Sequence, residues 1–361
     1  MKKALPALFL VTTLISCSQE NHQKPLVLEL PIPKSYEIPK TQNSISIDGI
    51  ADEDSWANTL WSDFFIDIEG SKNPLPYYDT RVKMLWDDEF IYFYAELEEE
   101  HIWGDITERD AVIFHNNDFE VFIKPNQFQP YYAEFEVNAL GTLWELFLAR
   151  PYRRNGPVLN QWDVNGTQIG IDIQGTLNDP SDIDKGWNIE MAIPIQAIKD
   201  IDRGSKIEEG SLWRVNFSRV QWRHQINNGV YSRKEDSNGS LLHENNWVWT
   251  EQSAIAMHRP EHWGYVFFSS ESNTNESRGY QDELDVEQQL LFYLYRKQLD
   301  WNSEKKIFSS NISDFGGPDF LVNSESLTAS ITLTKLGFEI TVSNTKNQSI
   351  TINQDGYIIT H

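Results

Sequence analysis

Cysteine is nearly absent from this chain of 361 residues, with Cys17 the only one. Intrachain disulfides are therefore excluded, and so is the C-x-x-C-H attachment of c-type haem. Positive charge is short as well: 30 Lys and Arg stand against 54 Asp and Glu, a formal net charge of −24 at pH 7. That field repels a phosphate backbone, so no nucleic acid is expected as a partner. No D-x-D-x-D-G run marks a dense calcium loop. The apolar run at residues 4–15 falls well short of the ~20 residues a membrane helix needs.

Lys2 and Lys3 precede that run and Ser16-Cys17-Ser18 follows it, the pattern of a cleaved signal peptide. Leu14-Ile15-Ser16-Cys17 resembles the bacterial lipobox, which implies cleavage before Cys17 and a lipid on its thiol. The expectation is an exported protein, anchored by lipid at Cys17 to the outer membrane of the cell envelope, in a leaflet the sequence leaves open. Residues 18–43 carry Pro25, Pro31, Pro33 and Pro39 among polar residues and read as a tether.

Aromatic residues are what the chain has in plenty: 13 Trp, 14 Tyr and 19 Phe. An acidic solvated protein needs fewer for its core, and such rings bind neutral ligands with apolar faces, sugars above all. Residues 81–86 and 90–97 form two β-rich runs around the polar break Asp87-Asp88-Glu89, which predicts an antiparallel hairpin. Ile91, Phe93, Ala95 and Leu97 share one face of the second run. Phe119, Val121 and Ile123 alternate with Asp118, Glu120 and Phe122, which sends two carboxylates away from the core. Many short strands with little helix predict an all-β fold, an antiparallel β-sandwich over residues 44–270. Residues 271–284 read as a linker, and residues 285–361, a helix followed by short strands, as a small C-terminal α+β extension.

The order Ile47-Asp48-Gly49, Asp54-Ser55-Trp56, Thr80 through Leu85-Trp86-Asp87, Phe90-Ile91-Tyr92 and Asp118-Phe119-Glu120-Val121-Phe122, closed by Pro260 and Gly264, resembles the family 9 carbohydrate-binding modules. The resemblance spans most of the folded chain. It implies a sandwich that binds a glycan or oligosaccharide without cleaving it, as part of carbohydrate catabolism. In that family two aromatic rings clamp the sugar; their positions fall on Phe114 and Met257, so the second ring is replaced by a thioether. Trp247 and Trp249, close by and on one strand face, are candidates to supply it. Glu120 matches a family carboxylate that accepts from sugar hydroxyls, whereas Glu136 stands where the family has an Arg. Glu134 and Glu136 are expected on a solvated strand face.

Other chemistries have their own candidates. Asp118, Glu120, Glu134 and Glu136 are the carboxylates a glycoside hydrolase would use, which needs a pair ~5 to 9 Å apart. Met257 with His258 or His115 are the residues a haem-binding sandwich would use. No cofactor is expected, save that the resemblance leaves room for structural calcium, for which Asp87, Asp88, Asp110, Asp179, Asp182 and Asp184 are the loop acids available. His258 and His262 are four apart, but Pro260 between them argues against a helix face and a transition-metal pair.

Overall fold

A computed structural model describes residues 24–152, 156–270, 279 and 281–361. The expected signal peptide and Cys17 lie outside them. Among the described residues no helix is long and apolar enough to cross a membrane.

Two sheets pack face to face. The smaller has four antiparallel strands in the order Gln168–Gln174, Gly186–Pro194, Phe90–Glu98 and Thr80–Trp86. The larger has nine, with a main path of Ser35–Pro39, Gly264–Ser269, Leu212–Gln221, Asp118–Lys124, Tyr132–Asn138, Leu143–Leu148 and Val158–Leu159. Asn245–Val248 pairs beside Leu212–Gln221, and Ile66–Asp67 beside Asn245–Val248. Strand alternation sets which side chains meet between the sheets: Ile91, Phe93, Ala95 and Leu97 face Phe119, Val121, Ile123, Phe135 and Val137 in one core. The hairpin around Asp87 forms as expected, with Trp86 opposite Ile91, and Asp87 closes it by accepting from the amides of Glu89 and Phe90 and the hydroxyl of Tyr92.

The outer face of the smaller sheet is also covered. Tyr92, Tyr94 and Leu85 pack against Trp56, which is fully buried in the short helix Asp54–Ala57. Glu190 holds this cover down: its Oε2 accepts from the amides of Asp48 (3.0 Å) and Gly49 (3.1 Å), and its Oε1 from Trp56 Nε1 (2.8 Å). Gly49 has φ +88°, and a Cβ there would stand 2.5 Å from the amide nitrogen of Asp172. The turn is pressed flat against the edge strand, and only glycine fits.

Helix Asp285–Lys305 lies on a separate six-stranded sheet, burying Leu290, Leu291 and Leu294 against Phe338, Ile340 and Ile350. This is the α+β extension. It is fixed to the sandwich by buried polar contacts: Arg214 Nη2 meets Asp285 Oδ1 at 2.7 Å, and Gln289 donates to the carbonyl of Glu261 at 2.6 Å. Of the expected linker, residues 271–278 and 280 lie outside the described residues, and Asp282 accepts from the Leu284 amide.

The tether reading is corrected for its described part. Leu26–Leu28 pairs in parallel with Asp319–Val322, and Ser35–Pro39 in parallel with Gly264–Ser269. Tyr36 and Ile38 are buried in the sandwich core. A three- or five-residue strand added to an existing edge needs no long alternation of its own, so the prolines hid both.

Candidate functional site

The outward side chains of the larger sheet form the floor of a cleft of about 640 Å³. Pairing register sets them in rows. Glu120 lies opposite Glu136 on one side and Ser218 on the other, and Glu136 lies opposite Trp144. One step along, Phe122 lies opposite Glu134, and Glu134 opposite Leu146. One step the other way, Asp118 lies opposite Val220. Acids and rings thus alternate across neighbouring strands because each strand turns every second residue outward.

Loops raise the walls. The short turn Ile113–His115 places Phe114, whose amide donates to Glu136 Oε2 (3.1 Å) and whose carbonyl accepts from Trp222 Nε1 (2.7 Å). Phe114 keeps 36% of its surface exposed, enough for a ring to meet a ligand. On another wall the Met257 carbonyl accepts from Trp263 Nε1 (2.8 Å), and the His258 Nδ1 is 2.6 Å from the Tyr132 hydroxyl. Tyr152 packs edge-on to His258, with ring centres 4.4 Å apart. Glu244 and Asn246 complete the lining beside Glu120.

Phe114, Glu120 and Met257 are therefore brought to one cleft. Trp247 and Trp249 are not, and their candidacy is corrected. Both are buried in the inter-sheet core, Trp247 edge-on to Tyr77 and Trp249 packed on Phe217 and Tyr36. Strand parity puts the two on a common face but does not say which. The register opposite Arg219, itself inward and buried, decides it for Trp247.

The expectation of a solvated face for Glu134 and Glu136 is also corrected: both are buried, as are Asp118 and Glu120. Loops that rise over the strand ends make this face a recess, which no strand pattern announces. Burial pushes the Glu120 carboxyl up to about 7, and the charge of Glu244 adds to this. Asp118, Glu134 and Glu136 are raised well above the usual carboxylate range by burial first and then by the charge of Glu120. Near neutral pH the cluster shares protons, so it can both donate to and accept from hydroxyls. Trp144 Nε1, in the same lining, has no hydrogen-bond partner among the described residues.

Three of the six loop acids, Asp87, Asp179 and Asp184, are engaged with backbone amides. Asp184 accepts from the amides of Ile102 and Thr176, and Asp179 from that of Ser181. Asp110, Glu145 and Asp163 do come together, but Arg109 already spans both Glu145 oxygens at 2.6 Å. The sequence reading missed Trp144, Tyr152 and Glu244. Trp144 had a signal: it shares strand parity with Leu146 and Leu148 and sits one hairpin from Glu136.

No protein-family model matches the chain, and no curated protein does. Among solved structures it is similar to a proposed carbohydrate-binding protein from Bacteroides uniformis ATCC 8492, at 16% identity over 66% of this chain and 100% of that one, with a TM-score of 0.48. It is also similar to a family 9 carbohydrate-binding module from Caldicellulosiruptor kristjanssonii in complex with glucose, at 16% identity over 67% and 100% and a TM-score of 0.43. The module from that organism in complex with cellotriose gives 14%, 69%, 100% and 0.41. At these identities no residue role is carried over from them.

Proposed function

We propose that the cleft binds a glycan or oligosaccharide without cleaving it, in an exported protein anchored by lipid at Cys17 to the outer membrane and serving carbohydrate catabolism. The observation that supports this best is the juxtaposition around Glu136, which accepts from the Phe114 amide and stands opposite Trp144. Two rings there offer apolar surface to the CH face of a sugar, while Glu120, Glu134 and Asn246 offer acceptors and donors to its hydroxyls. A cleft of this size suits one or two sugar rings.

Binding is preferred to hydrolysis because Asp118, Glu120 and Glu136 crowd into one group with an oxygen of each within 4.8 Å of the others, whereas glycosidase carboxyls face each other across the scissile bond. A glycan array probed with soluble protein lacking Cys17, followed by calorimetry and product analysis, tests the reading. Glucose and cellotriose are natural first probes. Saturable binding with the sugar recovered intact is expected; released product would establish an enzyme, and no binding across the array would remove the carbohydrate reading.

A further inference from the structure

Sugar recognition does not by itself call for the way the floor acids are crowded. One carboxylate oxygen each from Asp118, Glu120 and Glu136 lies within 4.8 Å of the others, and all three side chains are buried. Oxygens that share one Ca²⁺ sit about 2.3 to 2.6 Å from it and up to ~5 Å from each other. Three oxygens at such a spacing can share a single ion.

A second observation points to the same place. Asp118 has no exposed surface, and its Oδ1 takes the Val220 amide at 3.3 Å, yet its Oδ2 has no hydrogen-bond partner among the described residues. The hydroxyl of Ser218, equally buried and opposite Glu120, is close enough to draw the Glu120 carboxyl partly back down but forms no bond of proper geometry. Buried polar atoms are nearly always satisfied, and Asp118 Oδ2 is left open beside the other acids. Among the described residues, the charged groups that raise Asp118, Glu120, Glu134 and Glu136 are other carboxylates.

We propose that Asp118, Glu120 and Glu136 hold one hard divalent cation of the Ca²⁺ class at the floor of the cleft. The ligand set is all oxygen, which selects hard cations over zinc or copper. Asp118 Oδ2 is sealed beneath the surface, out of reach of an ammonium carried on a sugar. Glu134 and the open side of the cleft leave positions for water or ligand hydroxyls. The site stands without the glycan reading; where both hold, the ion adds a ligand for sugar hydroxyls.

The test is calorimetry and thermal melting of the chelator-treated soluble chain with CaCl₂, MgCl₂ and MnCl₂ alone, near neutral pH, up to ~10 mM, above the range of weak extracellular sites. One ion per chain at this site is expected, with a melting temperature that rises with ion concentration. Asp118→Asn and Glu136→Gln should each weaken it at least ~tenfold, whereas Asp163→Asn, at an exposed residue of the separate trio with Asp110 and Glu145, should not. Both cluster variants relieve like-charge repulsion, so their metal-free forms should melt at or above wild type, which separates loss of the ion from loss of the fold. No heat and no shift with any of the three ions would overturn the proposal, and so would full binding retained in both cluster variants. The ion titration contains no sugar, so its failure leaves the glycan reading standing, and a failed glycan array leaves the ion site standing.

Discussion

At the scale of single residues, the cleft sets a contrast between groups that face it and groups that hold it. Phe114→Ala removes a half-open ring and Glu120→Gln an acceptor, so each should weaken ligand affinity by at least ~1 kcal/mol with little change in melting. Calorimetry on the best array ligand measures this, and wild-type affinity in both variants would place the ligand elsewhere. Trp56→Ala should instead cost ~3 to 5 kcal/mol of stability by emptying a buried ring site and taking from Glu190 Oε1 its indole donor. Chemical denaturation checks it.

The raised cluster also predicts a pH dependence. Glu120 titrates near 7 in the fold but near 4.5 when unfolded, so between these values the folded chain binds more protons. Its stability is fully present below about 4.5 and is lost as pH rises through about 7. Metal-free melting temperature should therefore fall from acid toward neutral pH, and Glu120→Gln should flatten the slope. A slope equal to wild type would show that Glu120 is not the titrating group. The sequence made Glu120 and Phe114 visible through parity and family pattern. It could not show that Glu134 and Glu136 are buried, because the walls that bury them come from loops remote in the chain, at Phe114, Tyr152 and Met257.

Among elements, long alternating strands were legible and short edge strands were not. Phe90–Glu98 and Asp118–Lys124 each turn an unbroken apolar row inward, and a pattern of that length leaves one solution. Leu26–Leu28 has only Leu26 and Leu28 on one side, amid prolines, and takes its conformation from the waiting edge of Asp319–Val322. Removing residues 1–30 should therefore uncover that edge and the apolar side chains packed on helix Asp285–Lys305. A lower melting temperature and faster proteolysis of residues 285–361 are expected. Unchanged resistance would show the strand to be dispensable.

For the whole molecule, the division into sandwich and extension was legible from composition, but the chain path was not. The six-stranded sheet draws its first strand from Leu26–Leu28 and its last from Ile358–Thr360, at opposite edges. The sandwich is thus inserted between two pieces of the extension rather than placed before it. Lipid attachment belongs to this scale too: Cys17→Ser should move the protein from the membrane fraction to the soluble one, as fractionation would show, and unchanged partitioning would refute the anchor.

With Cys17 as the anchor, the parallel pairing of Leu26–Leu28 becomes a mechanical joint. Eight residues separate Cys17 from Leu26, a reach of roughly 30 Å, where a free tether as far as residue 43 would give roughly 90 Å. A load between the membrane and a captured glycan would pass first through three parallel-paired residues and then through Ser35–Pro39, also paired in parallel. Drawn along its own axis, each of these strands must slide past its neighbour and break several bonds at once, rather than peel from it one by one. On that anchor, and with a load along the strand axis, tension would arrive in shear.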